Sequence, residues 1–542
     1  MKVLLVYPQS REDMWCQNRS LEAIGKKYLG PPPIGLITVA ALLPKDWEFT
    51  LVDMNVREIT EEDWNTCECV LLSGMAVHFS NIVRIMQKAK ERGKIVVIGG
   101  PLVFHGPQEA LRFGADIVVK GEAEVVIDQV VEAIEERKFG IVIEAKGRAD
   151  MTKSPIPRYD LVDIHQYLLM GVQTSRGCPF RCEFCDITLM LGRQMRTKSI
   201  EQVLEELQQL YDLGWRRYVF MVDDNFIGHR SRARKLLQRL GPWMKERKYP
   251  FEFIMYATLN LAKDPEMMDL MVDAGCVKVL IGVEDTERDI LKFTKKFQNA
   301  VLDIDMAVQK INRAGMQVLA HFIMGFDHER PGVDQRLIGF ANRNQVPEVP
   351  LMLLQVGPGT ELWDRLQREG RLLWDGPNDD LGTTTGMIKF IPTRPIKDIV
   401  HEYINVYETL YDPDAYLERT FEHFSRMAPP PYHKRIFVGD WPELRAAPTF
   451  LRRHSAIYSS RWKFFKLMIK AFVKFPARFR DYILTCAAGE QYASYRHTIR
   501  DQLLAQLEEI ESSQSEGTSA KGSPYGREKE SREAIPSVPT VR

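Results

Sequence analysis

Short apolar runs alternate with amphipathic stretches along most of this chain. Residues 2–7, 49–53, 70–73, 95–98 and 117–119 are compact apolar runs bounded by polar, Gly or Pro segments. That pattern predicts strands buried on both faces. Residues 34–43 read as the first helix between them. Five strands separated by helices predict a doubly wound, Rossmann-like parallel sheet over 1–140, with a ligand beyond the carboxyl ends of the strands. No G-x-G-x-x-G follows the first strand, so the nucleotide fingerprint is absent. Residues 141–170, punctuated by Pro155 and Pro157, read as a linker.

The alternation resumes over 171–371. Strands are predicted at 171–175, 218–222, 251–256, 277–283, 317–324 and 349–356, with helices at 200–213, 232–247, 265–274, 301–314 and 332–344. Six β–α units predict a partial (β/α)6 barrel of the TIM type, whose active site belongs at the carboxyl ends of its strands. Beyond 371 the rhythm stops. Residues 372–510 predict a helical region and 511–542, rich in Ser, Glu, Gly, Lys and Pro, a disordered tail.

Composition narrows the class. The chain has 542 residues, 45% hydrophobic and 27% charged, enough for several globular units. Its 73 basic and 73 acidic residues cancel, which leaves no chain-wide electrostatic basis for binding nucleic acid. Eight cysteines in so long a chain are not a disulfide framework, and their clustering at 178–185 points to metal in a reducing compartment. The first residues read directly as a strand, so no signal peptide is expected, and no apolar run reaches the ~18 residues of a membrane span. The expected location is the cytoplasm. The segment 451–482 interleaves Lys and Arg with Phe, Trp, Leu and Ile. It reads either as a solvated helix face packed by its apolar side or as a surface peripheral to the inner membrane.

The chemistry concentrates in Arg176-Gly-Cys178-Pro-Phe-Arg-Cys182-Glu-Phe-Cys185, directly after the first barrel strand. Three thiolates on one tight loop can each bind one iron of a cubane cluster, and no fourth cysteine is adjacent, so one iron stays open for chemistry. A structural zinc site needs four ligands, and no paired Cys or His follows at zinc spacing. This loop resembles the signature of the radical S-adenosylmethionine (SAM) superfamily. The resemblance implies a 4Fe–4S cluster on Cys178, Cys182 and Cys185, with SAM on the open iron. It also implies ligand contacts at Asp223-Asp224-Asn225, ending the second barrel strand, and at Glu284 of Gly282-Val-Glu284, ending the fourth. Without the resemblance, the Asp pair reads as a helix cap and Glu284 as an exposed strand-end charge.

The first 140 residues resemble the cobalamin-binding domain that precedes many such barrels, through Gly99-Gly100-Pro101 and Gly121-Glu122-x-Glu124. Cobalamin contacts at Gly99, Gly100, Gly121 and Glu122 follow from that likeness. D-x-H-x-x-G is absent, so cobalamin is expected base-off, with His78 and His105 as ordinary loop histidines. Cys185-Asp-Ile, Asp223-Asp-Asn-Phe-Ile-Gly, Ala257-Thr-Leu-Asn260 and Ile323-Met-Gly-Phe326 are similar to segments of the class B-like cobalamin radical methylases, hopanoid C-2 methylases among them. The likeness implies methyl transfer to an unactivated carbon of a small molecule or polycyclic lipid, with a reductant such as flavodoxin or ferredoxin. The alternatives are a radical oxidation or ring closure like that of the anaerobic porphyrin cyclases, and a non-catalytic cobalamin-binding regulator. Thr258 and Asn260 read equally as ligand contacts or as a turn.

Overall fold

The computed structural model describes residues 1–16, 21, 26–373, 381–430, 441–457 and 461–517. Two parallel six-stranded sheets organise it. The first contains β1 (Lys2–Tyr7), β2 (Glu48–Asp53), β3 (Cys69–Ser73), β4 (Ile95–Gly99), β5 (Ile117–Lys120) and β6 (Ile141–Glu144), in the order β2-β1-β3-β4-β5-β6. Alternate residues of each strand serve opposite faces. Leu4, Val6, Val70, Leu72, Val96 and Ile98 pack on one side with Ile82, Ile85 and Met86 of the helix Phe79–Glu91. Val3, Leu5, Leu71, Val97 and Val119 pack on the other with the helices Ile34–Leu42 and Ile127–Glu135. Both faces being covered, the strands are continuously apolar in sequence. Cys67 and Cys69 fall within these cores as small apolar groups.

The sheet differs from the expected five strands. β6 lies inside the expected linker and pairs in parallel with β5, Ile117 opposite Ile141. Its run of four residues, Ile141–Glu144, is too short and too near the sheet edge to leave a strong periodic signal.

The second sheet is an open half-barrel of β7 (Leu169–Val172), β10 (Tyr218–Met221), β11 (Glu252–Ala257), β12 (Cys276–Glu284), β13 (Gln317–Met324) and β14 (Leu351–Leu353), each pairing in parallel with the next. β7 starts two residues ahead of the expected strand. Its continuation peels away as β8 (Ser175–Arg176), which pairs antiparallel with β9 (Arg196–Thr197). On β12 and β13 the fully buried residues Val279, Ile281, Val318, Ala320 and Phe322 pack against the outer helices. The alternating half-buried set, Leu280, Gly282, Leu319, His321 and Ile323, occupies the opposite, concave face.

Helices Ile396–Leu410, Pro413–Arg426, Trp441–Ile457, Arg461–Lys474 and Phe479–Gly517 complete the chain. The first covers the β14 edge. Hydroxyls of Tyr403 and Tyr407 donate to the Leu351 carbonyl at 3.0 and 2.6 Å, and Tyr411 donates to that of Val349 at 2.9 Å. Spaced four apart, the tyrosines share one helix face and satisfy an edge that would otherwise stand open. The last helix continues past 510; residues 518–542 of the expected disordered tail lie outside the described residues.

Candidate active site between the two sheets

The cysteine loop leaves β8 through Gly177, whose φ is +96°. A Cβ there would stand 2.9 Å from the Gly192 carbonyl and 3.0 Å from that of Gln194, so only glycine lets the loop fold back on 191–194. The Cys178 amide donates to Gly192 at 3.2 Å and the Cys185 amide to Cys182 at 3.2 Å. Glu183 clamps the loop from behind: its amide donates to the Thr294 carbonyl, and its carboxylate accepts from Arg365 at 2.9 Å. The three thiols are unpaired and partly exposed. Burial raises all three pKa values, that of Cys185 to about 12, while the Lys296 ammonium pulls Cys178 and Cys182 back down. Metal binding must supply the free energy of deprotonation. Among the described residues no three Cys, His, Asp or Glu side chains converge as a cage for one ion. A cubane asks for something else, one thiolate per iron, and the loop offers three.

Asp223 is fully buried and spent on the chain itself. One carboxylate oxygen accepts from the backbone amides of Thr174 (2.6 Å) and Ser175 (3.0 Å), the other from both their hydroxyls. It therefore pins the turn from β7 into the cysteine loop, rather than offering itself to a ligand as the motif suggested. Asp224 accepts from the Gly177 amide at 2.9 Å, and burial pushes its pKa to about 6. Asn225 is 1% exposed, and neither its Oδ1 nor its Nδ2 has a hydrogen-bond partner among the described residues. A buried amide left so requires a partner that the chain does not supply, a water or a ligand. Thr258 donates to Asn260 Oδ1 at 2.8 Å, which favours the turn reading for that pair.

Glu284 sits at φ +69°, where the β12–β13 register slips by one residue. Its Oε1 accepts from Lys296 Nζ at 2.6 Å, and both groups are buried. The pair lies directly over Gly282: a Cβ there would stand 2.2 Å from Glu284 Oε1 and 2.8 Å from Lys296 Nζ. Burial works against charge on Lys296, but Glu284 and the thiolates of Cys182 and Cys185 outweigh it and hold the ammonium protonated. Gln298 Nε2 approaches Cys182 Sγ at 3.7 Å, and Asn299 donates to the Gly282 carbonyl at 2.8 Å. Sequence reasoning missed Lys296, Gln298 and Asn299; Lys296 caps the short helix Phe297–Ala300 that carries the other two, and they match no spacing rule.

The carboxyl edge of the first sheet faces this loop. Arg176, two residues before Cys178, donates to Glu122 at 2.9 Å and Glu124 at 2.7 Å, and Arg196 donates to the same Glu122 oxygen at 2.7 Å. Glu122, 6% exposed, spends Oε2 on these two arginines, while its buried Oε1 has no hydrogen-bond partner among the described residues. His105 Nε2 lies 3.7 Å from Asp186 Oδ2 across the same junction. His78 is fully buried; Nδ1 accepts from the Met75 amide and Nε2 meets Ser10 Oγ at 3.0 Å, so neither nitrogen is left for cobalt. The ends of β3 and β4 are built from Ser73, Gly74, Gly99 and Gly100. Gly100 has φ +90°, and a Cβ on it would collide with Ser73 Oγ at 2.4 Å. Gly121 follows β5 at φ +100°. This side-chain-poor ledge beside the strand-order switch between β1 and β3 fits a large, flat cofactor approaching the backbone.

Three known domain families match the chain: the B12 binding domain over 24–141, the radical SAM superfamily over 172–332, and a domain of unknown function over 360–505. An uncharacterised methyltransferase of Synechocystis is 42% identical over 514 residues, 95% of each chain. The hopanoid C-2 methylase of Rhodopseudomonas palustris is 34% identical over 422 residues, 77% of this chain and 78% of that one. Among solved structures, the radical SAM methyltransferase TsrM of Kitasatospora setae overlays with a TM-score of 0.56 at 17% identity, over 68% of this chain and 76% of that one. The cobalamin-dependent SAM radical enzyme OxsB, solved with aqua-cobalamin bound, overlays at 0.54 and 15% identity, over 94% of this chain and 80% of that one. These two share the fold. The cysteine loop, the facing sheets and the near-full-length relatives lead to one conclusion: the chain belongs to the cobalamin-dependent radical SAM methyltransferases, with a 4Fe–4S cluster, SAM and cobalamin as its cofactors.

Proposed function

We propose that this methyltransferase acts on an unactivated carbon of a polycyclic lipid. The observation that carries the reading is the junction itself, where Arg176 and Arg196 lock the carboxyl edge of the first sheet against the cysteine loop. A methyl donor held on that edge would then face a radical source held on the loop. The lipid comes from the likeness to the hopanoid enzyme. The lumen is consistent with it: Phe220, Tyr256, Leu280, Leu319 and Ile323 are apolar or aromatic, and the Tyr256 and His321 rings lie 6.2 Å apart. Burial lowers the His321 pKa to about 4, so this histidine is neutral at cellular pH and adds no charge to the lumen beside the Glu284–Lys296 pair.

Bound together, the cluster and SAM supply a 5′-deoxyadenosyl radical and cobalamin supplies the methyl group. The protein's own groups hold the reactants in place. Cys178, Cys182 and Cys185 each take one iron. Asp224, Asn225 and the Glu284–Lys296 pair present an acceptor, an amide and a salt bridge to the zwitterionic end of SAM. Gly99, Gly100 and Gly121 would give cobalamin backbone to lie against, Glu122 ties that edge to the loop with Oε1 left for a ligand, and Asp223 positions the loop. A low-potential protein such as flavodoxin or ferredoxin would deliver the two electrons each turnover needs, one for SAM cleavage and one to restore cobalamin. Ring closure or oxidation has no observation favouring it over transfer, and the regulator reading is set aside by the enzyme family.

The reaction is checked anaerobically with labelled SAM, reductant and a polycyclic lipid. Each turnover should consume two SAM, giving one 5′-deoxyadenosine, one S-adenosylhomocysteine and a methylated product. 5′-Deoxyadenosine without the other two would move the assignment to the oxidative class.

Lys296→Met tests the SAM contact. Removing one charge-assisted partner at roughly 1.5–3 kcal/mol should raise the SAM Kd about 10- to 100-fold. Iron content should stay near that of the wild type, since Lys296 is no iron ligand. An unchanged Kd by calorimetry would confine Lys296 to packing.

A further inference from the structure

The helix Arg461–Lys474 has two apolar faces, and among the described residues only one of them is packed into a core. Phe464, Ala471 and Phe475 are buried with Leu417, Phe421, Phe424, Phe479 and Tyr482 in one cluster. Trp462, Ile469 and Val473 face outward, 83%, 63% and 75% exposed, and Phe472, 47% exposed, stands at their margin with its ring against that of Phe479. Their spacing of seven residues and then three or four puts them on one stripe. A solvated helix face carries polar residues there. Of the thirteen large hydrophobic residues most exposed in the described chain, four stand on this single helix. Lys466, Lys470 and Lys474 are exposed along the same stretch, and the helix contains no acidic residue.

We infer that this outward stripe docks on an anionic phospholipid bilayer. An apolar face flanked by lysines, with a tryptophan at one end, is the make-up of an interfacial helix: the side chains enter the acyl boundary and the ammonium groups meet phosphate. A second copy of the chain fits less well, because a self-complementary contact would set the same lysines against one another. Among the described residues no helix is long and apolar enough to cross a membrane, so the contact is one-sided. Arg478, just beyond the helix, donates to the Gly315 carbonyl at 2.8 Å, ahead of the amino end of β13. The stripe therefore belongs to the end of the barrel opposite the cysteine loop, and substituting it leaves the chemistry intact. The inference rests on the exposed side chains alone, although a membrane-lipid substrate would be met by an enzyme already at the surface.

The test is sedimentation of the full-length protein with phosphatidylcholine vesicles, with and without phosphatidylglycerol, and no substrate present. The wild type should bind the phosphatidylglycerol vesicles, less so as salt rises. Trp462→Ser/Ile469→Ser/Val473→Ser should weaken binding about tenfold or more. Lys466→Gln/Lys470→Gln/Lys474→Gln should remove the preference for anionic vesicles. Both variants should melt and form 5′-deoxyadenosine as the wild type does. Should either fold poorly, brominated lipid reads the same contact in the native chain by quenching fluorescence that Trp462→Phe removes. No wild-type binding, serine-variant binding equal to the wild type, or a wild-type dimer that the serine variant turns into monomer would each overturn the inference. The last would assign the stripe to a second copy. Loss of methylation with vesicle binding intact would instead strike the proposed substrate and leave the docking face standing.

Discussion

Replacing any one of Cys178, Cys182 and Cys185 with Ala should leave anaerobically reconstituted protein without its broad visible absorbance and with iron near background. Formation of 5′-deoxyadenosine should stop. On this assignment each thiolate would be the only protein ligand of its iron, and the loop offers no spare: the other described cysteines are Cys16, Cys67, Cys69, Cys276 and Cys486, of which the last four are buried. Cys67→Ala and Cys276→Ala are the controls. Cys67 lies in the core of the first sheet and Cys276 in that of the half-barrel, so each costs only packing, roughly 1–2 kcal/mol, and should leave iron content untouched. Full iron content in the three loop variants would remove the basis for the cluster assignment.

Asp223→Ala should be the most damaging single change outside the cysteines. The substitution strips acceptors from two buried backbone amides and two hydroxyls that hold the start of the cysteine loop. Unpaired buried donors cost roughly 1–3 kcal/mol each, so a loss of about 3 kcal/mol or more is expected, a fall of roughly 5–10 °C in the melting of the half-barrel. Cluster incorporation should fall with it, because the loop loses its anchor. Asp223→Asn keeps one acceptor oxygen and should retain an intermediate share of both. If Asp223 bound SAM instead, Ala would raise the SAM Kd at an unchanged melting temperature. Scanning calorimetry beside iron analysis separates the two.

The residues legible in the sequence are those whose meaning is local. The three cysteines fall within eight positions, and a loop that short brings its thiols near one cluster whatever surrounds it. The strands of the first sheet were legible because, covered on two faces, they are continuous apolar runs, and those of the half-barrel because apolar-rich runs recur between amphipathic helices. β6 escaped because four residues at a sheet edge carry too little pattern. Asp224, Asn225 and Glu284 were placed at the rim by strand ends alone, and the structure puts Asp224 against Gly177 and Glu284 on Lys296 beside Cys182.

Tertiary structure decided what each charge at that rim does. Asp223 and Asp224 are neighbours in sequence, yet one faces the Thr174–Ser175 turn with every acceptor used and the other faces Gly177. Glu122 meets Arg176 and Arg196 from 54 and 74 positions away, and Lys296 meets Glu284 across the slipped end of β12. Likewise the outward stripe of the helix Arg461–Lys474 reads in sequence like any helix with a buried side; only the packing shows which apolar residues were left outside. Periodicity reports how a side chain alternates along its own element. The partner of a charge, and the face of a helix that finds a core, are set by which elements the fold brings together, and that information is not held within any one segment.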